Sequence, residues 1–123
     1  VNPERALRSA LTGDGIRGYV DMPADMLREL PFVHIEILPG QVILPGVVES
    51  YGVTWQAFAT SKSAAIDLAN AAMRSWWGAW QKTTPLDTAH INQLGVDSSP
   101  TELKTGMAGV FCAQGAATVE LVP

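Results

Sequence analysis

Phe32-Val33-His34-Ile35-Glu36-Ile37-Leu38 is the stretch that decides the fold class. Val33, Ile35 and Ile37 alternate with Phe32, His34, Glu36 and Leu38, so one face is aliphatic and the other mixed. That period of two is the signature of a half-buried strand. Pro39-Gly40 is expected to end the strand, and Pro45-Gly46 to precede the next one. Over residues 47–59, Tyr51, Val53, Trp55, Ala57 and Ala59 share one face, while Gly52, Thr54, Gln56 and Phe58 share the other. Too few residues separate the two strands for a crossover, so they should pair as an antiparallel hairpin.

Working outward, residues 61–81 form the clearest helix, with Thr60 or Ser61 as its cap. At 100° per residue, Ala65, Ile66, Leu68, Ala69, Ala72, Met73, Trp76, Trp77, Ala79 and Trp80 fall within about half a turn. The Ala-lined first half lets such a helix approach a sheet closely, and the second half carries three Trp. At the start of the chain, Asn2 can cap a helix, Pro3 suits its first position and Glu4 complements the dipole. Ala6, Leu7, Ala10 and Leu11 form its apolar stripe, and Gly13 closes it.

Between these elements, residues 16–22 suggest a brief extended piece, and Pro23 starts a helical turn that Pro31 ends. After Thr83-Thr84-Pro85, a strand is expected over residues 88–96, a loop over Asp97-Ser98-Ser99-Pro100 and a turn at Gly106. A last apolar run covers residues 107–122, interrupted by Gly115 as a bulge or by a hairpin at Gln114-Gly115. The expected architecture is a single α+β domain over residues 1–123, in the order α-β-β-α-β-β. Its sheet would be four-stranded and mostly antiparallel, with the long helix on one face and the short N-terminal helix beside it.

At 123 residues the chain suits one domain. Charged residues make up 16%, against a usual value of roughly 25%, which leans towards burying surface against other subunits. The net charge is −4, and the eight Lys and Arg are scattered, so no basic run is present to neutralise phosphates. Val1 is not Met, which implies a removed initiator or a start upstream. No signal-peptide pattern opens the chain, and no stretch of about 18 apolar residues marks a membrane span.

The pattern contains no HExxH, CxxC, GxxxxGK[ST] or GxGxxG motif. His34, His90 and Cys112 could be imagined as a nucleophile and base, but each sits in an alternating strand pattern where a structural role is commoner. The expectation is a chain with no catalytic, cofactor-binding or metal-binding set, a structural subunit rather than an enzyme. Two features stand above background as interface candidates. Trp77 lies at the edge of the helix's apolar arc and should be half exposed, whereas Trp76 and Trp80 read as core. Val42, Ile43 and Leu44 form an apolar loop, residues 41–46, that either folds back on its own domain or docks on a neighbour.

The leading helix, the Leu30-Pro31-Phe32-Val33-x-Ile35 entry, the second strand entering an Ala-rich helix (the stretch from Trp55 to Met73), and the closing pair of strands resemble the tail terminator proteins of long-tailed bacteriophages. The resemblance covers most of the chain as an order of elements and is carried by no short diagnostic motif. Residues 14–30 and the apolar segment near Ile43 lie outside it. It implies a subunit of a homo-oligomeric ring, usually a hexamer, that caps the tail tube and joins tail to head. The implied partners are the tail tube protein and head–tail connector proteins, with DNA passing through the lumen without specific binding and no membrane contact. The implied location is the virion, after synthesis in the host cytoplasm. An acidic chain suits such a lumen, since like charges avoid tight binding. The competing class is a small ligand-binding domain with a pocket between the Trp-bearing helix and the sheet.

Overall fold

The structure is a computed structural model that describes residues 1–44 and 47–123, with side chains described outside residues 39–46. Eight elements follow in order: α1 (Pro3–Gly13), β1 (Gly18–Tyr19), α2 (Met26–Glu29), β2 (Phe32–Leu44), β3 (Val48–Ala59), α3 (Lys62–Gln81), β4 (His90–Leu103) and β5 (Phe111–Val122). The three helix starts are capped by side chains: Asn2 accepts from the Arg5 amide, Asp25 from Arg28 and Ser61 from Ala64.

The fold is α+β, with α3 and α1 on one face of the sheet. The sheet is five-stranded and mixed, in the order β1-β2-β3-β5-β4, where a four-stranded antiparallel one was expected. The additional strand is β1, only two residues long and parallel to β2, with Gly18 opposite Val33 and Tyr19 opposite His34. So short a strand has no periodicity of its own, and tertiary contact alone creates it. The remaining pairs are antiparallel, and β5 inserts between β3 and β4.

Three further expectations are corrected. Pro39-Gly40 does not end β2, which continues to Leu44. A register shift between Leu38 and Gln41 absorbs the pair, as a bulge does. Gln41 to Leu44 are therefore strand backbone, with Val42 opposite Glu49 and Leu44 opposite Val48, rather than the expected loop. The side chains of Val42, Ile43 and Leu44, and the Pro45-Gly46 turn, lie outside the described residues. Asp97-Ser98-Ser99-Pro100 is likewise not a loop but part of β4. Shifts at Val96/Ser98 and Ser98/Thr101 accommodate Pro100, which an edge strand tolerates. Gly115 marks neither a bulge nor a hairpin, because β5 pairs with β3 without interruption from Phe111 to Leu121.

The main core lies between the sheet and the helices. Ala65, Ala69, Ala72, Trp76 and Ala79 of α3 and Ala6, Leu7, Ala10 and Leu11 of α1 meet Val33, Ile35, Val53, Trp55, Ala57, Val119 and Leu121. Small side chains on α3 bring its backbone close enough for the Trp55 indole N–H to donate to the Ala69 carbonyl at 3.0 Å. Trp76 meets Trp55 edge-on at 5.2 Å and donates to the Leu7 carbonyl, while Ser75 donates to the Ala10 carbonyl. These two bonds fix α1 against α3.

Candidate functional site

No helix shields most of the opposite face of the sheet. Strand alternation and register place its side chains in rows that run across four strands. Phe32, Phe58, Cys112 and Leu103 form the first row, and His34, Gln56, Gln114 and Thr101 the second. Glu36, Thr54, Ala116 and Ser98 follow. Leu38, Gly52, Thr118 and Gly95 come next, and then Ser50, Glu120 and Gln93. The first row is roofed from Phe32 to Cys112, by the segment that carries β1 and α2, while Leu103 stays exposed. Tyr19, Met26 and Leu30 pack there on Phe32, Phe58, Val110 and Cys112.

The exposed rows carry acidic but no basic side chains. Glu36 and Glu120 lie in them, and Asp97 reaches the same face by accepting from the Thr118 hydroxyl at 2.8 Å. Arg5, Arg8, Lys62 and Arg74 belong to the helices α1 and α3, and Arg17, Arg28, Lys82 and Lys104 to the helical turn and connections. Alternation within each strand could have revealed this from the sequence, but it requires knowing which residues of β4 face outward, and the shifts in β4 hide that.

The groups weighed for chemistry are not brought together. His34 donates from Nε2 to the Val20 carbonyl at 3.0 Å. Its Nδ1 lies 3.0 Å from the Gln56 side-chain amide, which in turn donates to Gln114 at 2.9 Å. Cys112 sits two strands away from His34 and one row along the sheet, about 12 Å at the usual strand spacing and rise. Burial pushes its thiol up to about 11, so at neutral pH it is a protonated apolar group rather than a nucleophile. His90 lies opposite Val122, whereas Cys112 lies opposite Leu103, at the other end of β5. Among the described residues no three His, Cys, Asp or Glu side chains cluster as metal ligands, and no helix is long and apolar enough to cross a membrane.

The interface candidates fall as follows. Trp77 projects from α3 and is 55% exposed, while its neighbours Trp76 and Trp80 are turned inward. Trp80 donates to the Asn92 carbonyl and so staples α3 to the start of β4. The space between α3 and the sheet, where a ligand pocket was considered, is occupied by Trp55 and Trp76. An apolar groove of about 380 Å³ at the β4–β5 turn, lined by Leu103, Met107, Val110, Phe111 and Cys112, was not foreseen from the residue pattern. Leu103, Met107 and Phe111 are each exposed there.

No protein-family model matches this chain, and no curated protein matches it in sequence.

Proposed function

We propose that this chain is a structural subunit of a ring-shaped phage virion assembly, a tail terminator that caps the tail tube and joins tail to head. The observation that carries this reading is the absence of basic side chains from the open rows of the sheet. A broad sheet face with acidic, small and neutral side chains lies opposite the helices α1 and α3, which hold Arg5, Arg8, Lys62 and Arg74. Turned towards a lumen, such a face repels a polyanion and lets DNA pass without sticking. The exposed indole of Trp77, on the helical layer, is then free to meet a neighbouring subunit, where Trp is favoured as an anchor. Hexameric closure, the tail tube and connector partners, and residence in the virion follow from the tail terminator resemblance and belong to the same proposal.

The test is native mass spectrometry together with negative-stain electron microscopy, on the chain alone and co-expressed with a phage tail tube protein. A ring of about six copies, alone or on tube ends, is the expected result. A monomer that binds no tube under either condition overturns the reading.

A further inference from the structure

We propose that residues 19–31 form a strap that opens as a separate unit, uncovering the apolar cluster beneath it while the main core stays closed. Among the described residues there are two apolar clusters, on opposite faces of one sheet. The second is small: Phe32 stacks on Phe58 at 5.0 Å, Tyr19 meets Phe32 edge-on at 5.5 Å, and Val110 and Cys112 complete it. Among the described residues the strap covers it, through Tyr19, Met26 and Leu30.

The strap is held to itself better than to the sheet. Tyr19 donates to the Glu29 carboxylate at 3.0 Å, and Asp25 caps the single turn of α2, but these bonds travel with the strap. Its ties to the sheet are the pairing of Tyr19 with His34 and the bond from His34 Nε2 to the Val20 carbonyl. At its base Arg17 forms an ion pair with the Glu29 carboxylate and donates to the Glu29 carbonyl at 3.2 Å, and both contacts are solvent-facing and of small worth. No residue of α2 is fully buried, and Leu27 is 59% exposed. Segments with few buried contacts and few backbone ties open at lower free energy than the global transition.

Gly18 supplies the fixed end. It is buried under α1, where an added Cβ would lie 3.0 Å from Leu11 Cδ1, and the Val33 amide donates to the Arg17 carbonyl at 2.8 Å. Opening beyond Gly18 therefore leaves α1 in place. It exposes Phe32, Phe58, Val110 and Cys112, and these join the groove of Leu103, Met107 and Phe111 as one apolar surface. The subunit thus has a closed state and an open state that differ in how much apolar surface they present.

Cys112 is the chain's single thiol, 2% exposed, and reports the opening directly. The experiment measures its labelling by a disulfide reagent against urea, with tryptophan fluorescence following the main core. The expected rate is nearly independent of urea well below the fluorescence midpoint. Met26→Ala with Leu30→Ala should raise the rate about tenfold or more while leaving it nearly independent of urea well below that variant's own fluorescence midpoint. His34→Gln, a milder release of the latch, should raise it less. A labelling rate that climbs with urea in step with fluorescence overturns the proposal. So does a rate that responds to Met107→Ala in the groove and not to the strap variants.

Discussion

Trp55 lies over Gly115 so closely that a Cβ on the glycine would stand 2.5 Å from Cζ2 of the indole. The two residues face each other across β3 and β5, and the absent side chain is what lets the ring lie down. Trp55 cannot move aside, because the Ala69 carbonyl holds its N–H and Trp76 backs its ring. Gly115→Ala should therefore cost about 3 kcal/mol or more, at the top of the range for overpacking. In a thermal melt that corresponds to a loss of roughly 10 °C. An alanine variant that melts like the parent would show that the indole has room to shift.

Trp76→Phe should loosen α1 selectively. The substitution leaves the buried Leu7 carbonyl without its indole donor and shortens the ring that meets Trp55. A lost buried hydrogen bond costs about 1–3 kcal/mol. Ser75→Ala, which removes the hydroxyl that donates to the Ala10 carbonyl, should act in the same direction. Hydrogen exchange should show the amides of α1 losing protection before those of β3 and β5. Equal loss across all three would mean that the two bonds stabilise the core as a whole rather than the attachment of α1.

The parts of the fold visible in the sequence are those decided locally. Asn2, Pro3 and Ser61 mark helix starts through their own chemistry, and alternation from Phe32 to Leu38 marks a strand whatever it pairs with. The parts that were hidden depend on neighbours. Pro39 and Pro100 read as strand breakers, yet both fall in register shifts. Gly115 read as a backbone irregularity, although its cause is the Trp55 ring across the strand. For the candidate site, the exposure of Trp77 was visible from the helical arc. The second cluster was not, because Phe32 and Phe58 lie on the mixed faces of their strands and the strap that covers them has no periodicity.

Raising the pH should destabilise the fold over a defined window. Burial lifts the Cys112 thiol from about 9 to about 11. The Tyr51 hydroxyl moves from about 10 to about 12, chiefly through the hydrogen bond it donates to the Glu49 carboxylate, then through burial and the carboxylate's charge. In both cases the folded state keeps a proton that the unfolded state gives up. Stability is therefore full below pH 9, falls as pH rises from about 9 to about 12, and levels off beyond. Cys112→Ala should remove the lower part of the slope and Tyr51→Phe the upper part, as read from urea midpoints at stepped pH. Thiolate absorbance appearing near pH 9 in the folded protein would contradict the burial of Cys112.

Assembly should depend on Trp77 far more than folding does. The ring is 55% exposed, so Trp77→Ser removes little from the subunit's own core, and its melting temperature should change by less than the equivalent of about 0.5 kcal/mol. As an anchor buried between subunits, the same ring would contribute about 2 kcal/mol or more to association, roughly a thirtyfold change in affinity. Ile43→Ser with Leu44→Ser is the companion variant, because β2 reaches Leu44 at its far end from α1 and this apolar segment is the other candidate contact. Light scattering across a concentration series gives oligomer size, and thermal melting gives stability. Loss of the ring, or of tube binding, at unchanged melting temperature assigns each site to an interface. A large fall in stability of the subunit, with assembly otherwise intact, places that side chain in its own core and removes it from the interface.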